Sequence, residues 1–276
     1  WNEFWGQWDF GSGNIRFGNI DGGHPSFNLV DWELWGGWAG TAPGYGSWGA
    51  DDMIVLTLPL GPVSIQVAAI EPSTATATVA TATDLDVDVP ALEASVDFAL
   101  GPLAFRVWGG MSSYTEAVTA TNKEYDIDSS VVGLVINFAS APFVIGGTIW
   151  KSENGYQGDG YYVGTYPVGY DAAADVIIDS DNTGWAIGGA YFVNDMFTIA
   201  AGYGEEEQER DSTSGLAGGK DQGSGWYINL PIAIADGFTI TPEYSVDDFD
   251  DQTPAGATAV QQGDITYFGA RWEITF

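Results

Sequence analysis

Apolar and polar residues alternate along five paired segments of this chain, and this period of two constrains the fold more than any other feature. In residues 52–70, Ile54, Leu56 and Leu58 share one side of the extended chain, and a tight Gly-Pro turn leads into a second alternating run. A period of two is the spacing of a β-strand with one apolar face. Similar hairpins lie at residues 90–110, 131–150, 184–203 and 225–246, and a single strand ends the chain at residues 264–276.

These segments predict eleven strands of roughly ten residues each. Residues 1–23 add another hairpin with a turn at residues 11–13, which raises the number to thirteen. No run of about 18 apolar residues is present, so no membrane-spanning helix is predicted. We expect one all-β, antiparallel domain that covers residues 1–276.

The connections between the predicted strands differ sharply at the two ends of the sheet. One end has short turns, such as Gly61-Pro62, Gly101-Pro102 and Asn194-Asp195. The other end has long polar loops. Their ranges are 72–89, 114–128, 153–183, 205–224 and 247–264. Short turns on one side and long loops on the other are typical of transmembrane β-barrels.

Aromatic residues near the strand ends favour a barrel over a soluble β-sandwich, although either fold would satisfy a single hairpin. They lie on the apolar face at both ends, as in the interfacial girdles of membrane barrels. The predicted girdle residues are Trp185, Trp226 and Tyr244 beside the long loops, and Phe98, Phe138 and Phe276 beside the short turns. Strands of about ten residues also exceed the usual length in soluble sheets.

The last strand and one aromatic loop resemble parts of known outer-membrane proteins. The alternating segment "DITYFGARWEITF", which ends in Phe276, resembles the assembly signal of Gram-negative outer-membrane proteins. Residues 21–50 are rich in Trp, Gly and Pro. With the preceding "RFGNIDGG", they resemble the third loop of sixteen-strand general porins, which folds into the barrel and narrows the pore. If residues 14–20 correspond to the fifth strand, we expect three strands before Trp1.

The porin resemblance implies a transmembrane barrel of 14–16 strands in the outer membrane of a Gram-negative bacterium, with residues 21–50 as the constriction loop. Its partners would be membrane lipid and lipopolysaccharide, and the barrel would assemble as a homotrimer. Its lumen would be a water-filled channel for small hydrophilic solutes.

The charge balance indicates which solutes this surface attracts. The chain has 38 Asp and Glu residues against 7 Lys and Arg, for a net charge of −31. Such a surface repels the phosphates of nucleic acids, so no nucleic-acid partner is expected. It attracts cations, and we expect a channel that prefers them to anions.

Charged residues on the polar face of the strands and on the aromatic loop are candidate pore-lining residues. Opposed basic and acidic groups across a constriction produce a transverse field that sorts solutes. The candidates are Arg16, Asp21, His24, Asp31, Glu33, Glu93, Asp97, Arg106, Glu243, Arg271 and Glu273. The structural alternative is that Arg271 pairs with Glu243 or Glu273 and holds neighbouring strands together.

The acidic loops offer carboxylate oxygens, which Ca²⁺ prefers as ligands. The candidate calcium ligands are Asp247, Asp248, Asp250 and Asp251, and the alternative is a solvated acidic rim. No cofactor is required by any motif. His24 is the single histidine and lies in no catalytic motif, so we expect no enzyme. Two alternatives to a porin remain open: a structural or adhesive outer-membrane barrel with calcium-binding loops, and a soluble carbohydrate-binding β protein.

Overall fold

The computed structural model describes residues 3–21, 25, 50–71, 79, 84–87, 90–118, 122–155, 167–250, 253–254 and 262–275. Within these ranges the chain forms eighteen β-strands. They are β1 (Phe4–Asp9), β2 (Asn14–Asp21), β3 (Ala50–Leu60), β4 (Val63–Ile70), β5 (Asp84–Asp86), β6 (Ala91–Leu100), β7 (Leu103–Val118), β8 (Lys123–Ser140), β9 (Phe143–Glu153), β10 (Gly169–Asp171), β11 (Val176–Ile178), β12 (Ser180–Phe192), β13 (Thr198–Arg210), β14 (Gly219–Asn229), β15 (Ile232–Ala235), β16 (Phe238–Phe249), β17 (Thr253–Pro254) and β18 (Gly263–Ile274). No helix in the described ranges is long and apolar enough to span a membrane.

Sixteen of these strands form one antiparallel sheet, and β10 and β11 form a separate hairpin. Thirteen strands of the sheet are hydrogen-bonded in chain order: β1–β4, β6–β9, β12–β14, β16 and β18. They are the thirteen strands predicted from the sequence. The other three strands, β5, β15 and β17, are short. Strand β15 pairs with the part of β16 that β14 leaves free, while β5 pairs with β7 and β17 pairs with β14. The predicted all-β, antiparallel class is therefore confirmed.

Buried charged and exposed apolar side chains alternate along the strands, which is the reverse of a sheet in water. On β6, Glu93 is 2% exposed, whereas its neighbour Leu92 is 39% exposed. On β9, Ile149 is 58% exposed between the buried Thr148 and Trp150. A continuous apolar outer surface of this kind is stable in hydrocarbon and not in water. The face that carries Glu93 is therefore the inner face of a membrane barrel.

Aromatic side chains mark both margins of this apolar outer surface. Trp226 and Tyr244 pack beside the long loops with ring centroids 5.5 Å apart, and Phe143 and Tyr191 pack beside the short turns at 5.0 Å. Of the predicted girdle residues, five are partly exposed on the outer face: Trp185, Trp226, Tyr244, Phe98 and Phe138. Phe276 lies outside the described residues. Aromatic girdles at both interfaces are typical of transmembrane barrels.

The strands continue well past the apolar surface on the long-loop side, which corrects several predicted loop boundaries. Strand β7 has 16 residues and β8 has 18, so much of the predicted loop 114–128 is strand. Residues 205–210 and 219–224 likewise belong to β13 and β14. Polarity marks where a strand leaves hydrocarbon, but the backbone hydrogen bonds persist into water. The sequence signal therefore located the membrane boundary and not the strand end.

Candidate functional site

Cross-strand pairing brings the predicted polar residues onto a common inner wall, defined here as the strand residues that share the face of Glu93. Residues directly opposite each other in antiparallel strands point to the same side of the sheet. One row of such partners runs through ten strands. Its members are Arg16, Val55, Ala68, Glu93, Gly110, Val131, Ser152, Asn182, Gln208 and Asp221. Arg16 and Glu93, both predicted to line a pore, therefore lie on one row of the wall.

Asp97 and Arg106 form an ion pair on this wall. They are direct partners across β6 and β7, and Arg106 Nε donates to Asp97 Oδ1 at 2.6 Å. The Ser95 hydroxyl lies 3.4 Å from the other carboxylate oxygen, Asp97 Oδ2. Both charged side chains are mostly buried, which strengthens their attraction. The sequence placed both residues on the polar face but did not pair them.

Arg16 differs from Arg106 because no hydrogen bond or ion pair joins it to another residue of the described chain. Its direct cross-strand partners are Gln7 on β1 and Val55 on β3, neither of which carries a charge. Its side chain is partly exposed. The positive charge of Arg16 is therefore not paired with a neighbouring carboxylate in the described ranges.

The remaining predicted wall residues lie on β16 and β18. Glu243 is buried on the inner face of β16, opposite Asn229. Arg271 Nη2 donates to Glu273 Oε2 at 2.8 Å, and both residues share the inner face with Thr241 and Thr239. The pairing of Arg271 with Glu273, considered from the sequence as a structural alternative, is therefore present. Its side chains are more exposed than those of Asp97 and Arg106.

Several predicted site residues lie wholly or partly outside the described ranges. The predicted constriction loop, 21–50, is described only at residues 21, 25 and 50, and of Asp21 only its position at the end of β2 is given. His24, Asp31, Glu33 and Asp251 lie outside the described residues. The predictions for these five side chains stay untested.

The predicted calcium ligands Asp247 and Asp248 are not brought together by the structure. Strand β16 includes both, so the alternation of the strand places Asp247 on the buried inner face and Asp248 on the exposed outer face. The two carboxylates therefore lie on opposite faces of β16. No group of three or more His, Cys, Asp or Glu residues in the described ranges has a geometry that could hold a metal.

Two tryptophans pack flat against glycines on the inner wall, a feature that the sequence analysis missed. One row of partners reads Trp108, Gly133, Trp150 and Gly184 on four successive strands. A Cβ placed on Gly133 would lie 2.2 Å from Trp108 Cζ2, and one on Gly184 would lie 2.1 Å from Trp150 Cζ2. Each indole thus covers the backbone of a glycine. The alternation of Trp and Gly across strands is invisible in the sequence without the register.

A short hairpin contacts inner-face side chains at the long-loop end of the sheet. We define residues 167–178, which include β10 and β11, as the entrance strap. It belongs to the connection between β9 and β12, yet it is bonded to β8 on one side and to the β13–β14 connection on the other. Its anchors Tyr125 and Arg210 continue the alternation of the buried Ile127 and Gln208, so both lie on the inner face.

The anchor on the β8 side is centred on Asp175. Its Oδ1 accepts hydrogen bonds from the hydroxyls of Tyr125 at 2.6 Å and Tyr170 at 2.8 Å, and its Oδ2 pairs with Lys123 Nζ. The two tyrosine rings meet edge to face with centroids 5.2 Å apart. The close hydroxyl of Tyr125, 3.2 Å from that of Tyr170, and desolvation raise the pKa of Tyr170 above its ordinary value.

The anchor on the other side is centred on Asp171, which is buried. Its Oδ1 accepts from the backbone N–H groups of Ala173 at 2.8 Å and Ala174 at 3.0 Å, and its Oδ2 accepts from Gly215 N at 3.3 Å. A hydrogen bond from the Thr213 hydroxyl, followed by these backbone N–H groups, lowers the pKa of Asp171. Hydrogen bonds that favour the charged carboxylate have this effect.

Arg210 completes the second anchor from β13. Its guanidinium donates to the carbonyl oxygens of Pro167 and Ala217, so it joins the first residue of the strap to the β13–β14 connection. The strap therefore joins β8 to β13 and the β13–β14 connection, beyond the end of β9 at Glu153. Strands β8 and β13, which carry the two anchors, are three strand spacings apart, which corresponds to about 14 Å.

Together, the apolar outer surface, the charged inner wall and the two aromatic margins define a transmembrane β-barrel of the outer-membrane porin type. Known proteins with this fold lie in the outer membrane of Gram-negative bacteria, which is the location predicted from the sequence. The chain is similar to the outer membrane channel DcaP of Acinetobacter baumannii, with a TM-score of 0.63 and 14% identity over 94% of this chain and 71% of that chain.

Two further solved structures share this fold. The anion-selective porin from Comamonas acidovorans gives a TM-score of 0.60 at 13% identity and covers 97% of this chain and 74% of its own. The outer membrane protein OmpT of Vibrio cholerae, in its trimer form, gives 0.56 at 14% identity over 99% and 80%. Neither a protein-family model nor a curated protein sequence matches the chain.

Proposed function

We propose that this barrel is a porin: a water-filled channel for the passive diffusion of small hydrophilic solutes and ions across the outer membrane. The observation that carries the proposal is the reversed polarity of the sheet. Charged side chains such as Glu93 and Arg106 lie on the inner wall, while large apolar side chains cover the outer surface. Charges on the inside of a membrane barrel are stable where water or opposite charges accompany them.

The low exposure of the inner wall supports a narrow channel over a wide one. Gln208 and Glu116 on this wall are fully buried, and the backbone N–H of Val79 donates to Glu116 Oε2 at 2.6 Å. Val79 comes from the connection between β4 and β6, so this connection contacts the inner wall. The same observation favours the second candidate function, a structural or adhesive barrel with a filled lumen. Conductance distinguishes the two.

The proposed preference for cations rests on charge alone. The net charge of −31 gives the entrance a negative potential, which raises the local concentration of cations. The porin of Comamonas acidovorans is described as anion-selective, so the shared fold does not determine selectivity. Calcium binding on the acidic loops and a trimeric assembly in contact with lipid and lipopolysaccharide are parts of the same proposal. The trimer form of Vibrio cholerae OmpT supports the trimeric assembly by analogy.

Planar bilayer recording of the purified protein tests the proposal. We expect stepwise conductance increases and, under a KCl gradient, a reversal potential of the sign that K⁺ permeation produces. Stepwise conductance with the opposite sign would retain the channel and reject the cation preference. No conductance from folded protein would favour the structural barrel. Folding is checked separately by the resistance of the barrel to SDS before heating.

A further inference from the structure

The entrance strap is anchored on both flanks to elements that it does not connect. Its parent connection joins β9 to β12, which are neighbours in the sheet and need only a short link. Instead the strap contacts β8 through Asp175 and the β13–β14 connection through Asp171. A connection that merely joined two adjacent strands would not require these contacts. The anchors hold the strap against Tyr125 and Arg210, which lie on the inner face at the long-loop end.

We propose that residues 167–178 form a movable strap across the long-loop entrance of the channel, held in place by two aspartate anchors, and that release of the anchors widens the entrance. This inference rests on the proposed channel function for its effect on conductance. Whether the two aspartates anchor the strap does not depend on the channel function. Both anchors consist of polar contacts at the aqueous end of the barrel, where such contacts can break without exposing backbone to hydrocarbon.

Within the described ranges, the groups that face each anchor come from the strap itself and from the elements beside it. Asp175 faces Lys123 and Tyr125 of β8 and Tyr170 of the strap itself. Asp171 faces Ala173 and Ala174 of the strap, and Thr213 and Gly215 of the β13–β14 connection. The guanidinium of Arg210 lies beside Gly169 and donates to the first residue of the strap. Each aspartate thus accepts several hydrogen bonds, and protonation of a carboxylate would remove part of its capacity to accept them.

The strap should respond to acid because the hydrogen bonds to Asp171 favour its ionised form. A carboxyl group whose pKa is lowered in the anchored state stabilises that state at pH values above its ordinary pKa, near 3.9. This stabilisation is lost as the pH falls through the lowered pKa. The raised pKa of Tyr170 has the opposite sign, so its contribution is present below about pH 10 and is lost at higher pH. We therefore expect the strap to be anchored between these limits.

Alanine substitutions at the two anchors test the proposal. We compare Asp171→Ala, Asp175→Ala and the double variant with Asp181→Asn, which removes a carboxylate charge on the outer face of β12, where it pairs with Lys151. Chymotrypsin reports strap release by cleavage after Tyr170, and bilayer recording reports the width of the entrance. At neutral pH, we expect the double variant to be cleaved about tenfold faster and to conduct about 1.5-fold more than the wild type. Asp181→Asn should match the wild type in both.

Each outcome decides one part of the proposal. Unchanged cleavage in the folded double variant would show that the aspartates do not hold the strap. Faster cleavage with unchanged conductance would show that the strap does not narrow the entrance. A wild-type protein without any conductance would contradict the channel itself, and the cleavage rates would still decide whether the anchors hold. A variant that fails to fold is replaced by Tyr125→Phe, which removes one hydrogen bond to Asp175 and keeps the ring contact with Tyr170.

Discussion

The indole of Trp108 lies directly over Gly133 on the neighbouring strand, and this contact repeats two strands away between Trp150 and Gly184. A large ring therefore fills the space that each glycine leaves on the inner wall. A glycine weakens a strand because it has no side chain to pack, and an aromatic partner across the strands compensates for that loss. The two pairs give this part of the wall a smooth, closely packed surface.

Gly133→Ala should destabilise the barrel because the new methyl group would lie 2.2 Å from Trp108 Cζ2. The indole must move, and overpacking of this kind costs about 1–3 kcal/mol. Gly147→Ala is the matched control, since a Cβ there meets its nearest atom, the backbone oxygen of Ala186, at 3.4 Å. We expect the control to change stability by less than about 0.5 kcal/mol. Urea unfolding from lipid vesicles measures both, and equal effects would contradict the packing role of Trp108.

The ion pair of Asp97 and Arg106 should balance its own field, so single substitutions should change selectivity in opposite directions. Arg106→Ala leaves the Asp97 carboxylate without its guanidinium partner and should raise the K⁺/Cl⁻ permeability ratio about twofold. Asp97→Asn should lower it by a similar factor. The double variant should return near the wild-type ratio, because both charges are gone. Reversal potentials in a KCl gradient measure all three proteins.

Arg16 should affect selectivity more than Arg106, because no carboxylate of the described chain neutralises it. We expect Arg16→Ala to raise the K⁺/Cl⁻ permeability ratio about threefold. Lys151→Ala is the matched control: it removes the same charge from the outer face, where Lys151 pairs with Asp181 at 2.9 Å. The control should leave the ratio unchanged. If both variants shift the ratio equally, the effect comes from net charge and not from the wall position of Arg16.

The sequence predicted the features of this fold that depend on local order and missed those that depend on pairing between distant segments. Alternation is local, and it identified thirteen strands and the inner position of Arg106. The short turns and the aromatic margins at Trp226 and Phe98 are local in the same way. The entrance strap is not, since Asp171 bonds to a residue 44 positions away and Asp175 to one 52 positions away. Such contacts follow from the register of strands that no single segment specifies.

The strand ends at the long loops were mispredicted for a related physical reason. Polar sequence beyond the hydrocarbon indicates a loop, yet the backbone of β16 continues its hydrogen bonds through Asp247 and Asp248 to Phe249. Once these aspartates belong to a strand, the period of two separates their carboxylates to opposite faces. A prediction of calcium ligands from the spacing of acidic residues requires a loop, and the pairing of β16 with both of its neighbours removes the loop at Asp247 and Asp248.

The outward orientation of the apolar face yields the strictest prediction, at Ile187 on β12. Its side chain is exposed and lies on one face between Trp185 of the long-loop margin and Tyr191 of the short-turn margin, so it should lie in hydrocarbon. Ile187→Arg should then cost about 2–4 kcal/mol of folding free energy in lipid, because a charge inside the hydrocarbon layer loses its hydration. Ile187→Leu keeps the size and polarity and should cost less than about 1.5 kcal/mol. Folding into vesicles at graded urea concentrations measures both variants. An arginine tolerated as well as the leucine would mean that Ile187 faces water, and a sheet with that orientation could not enclose a channel.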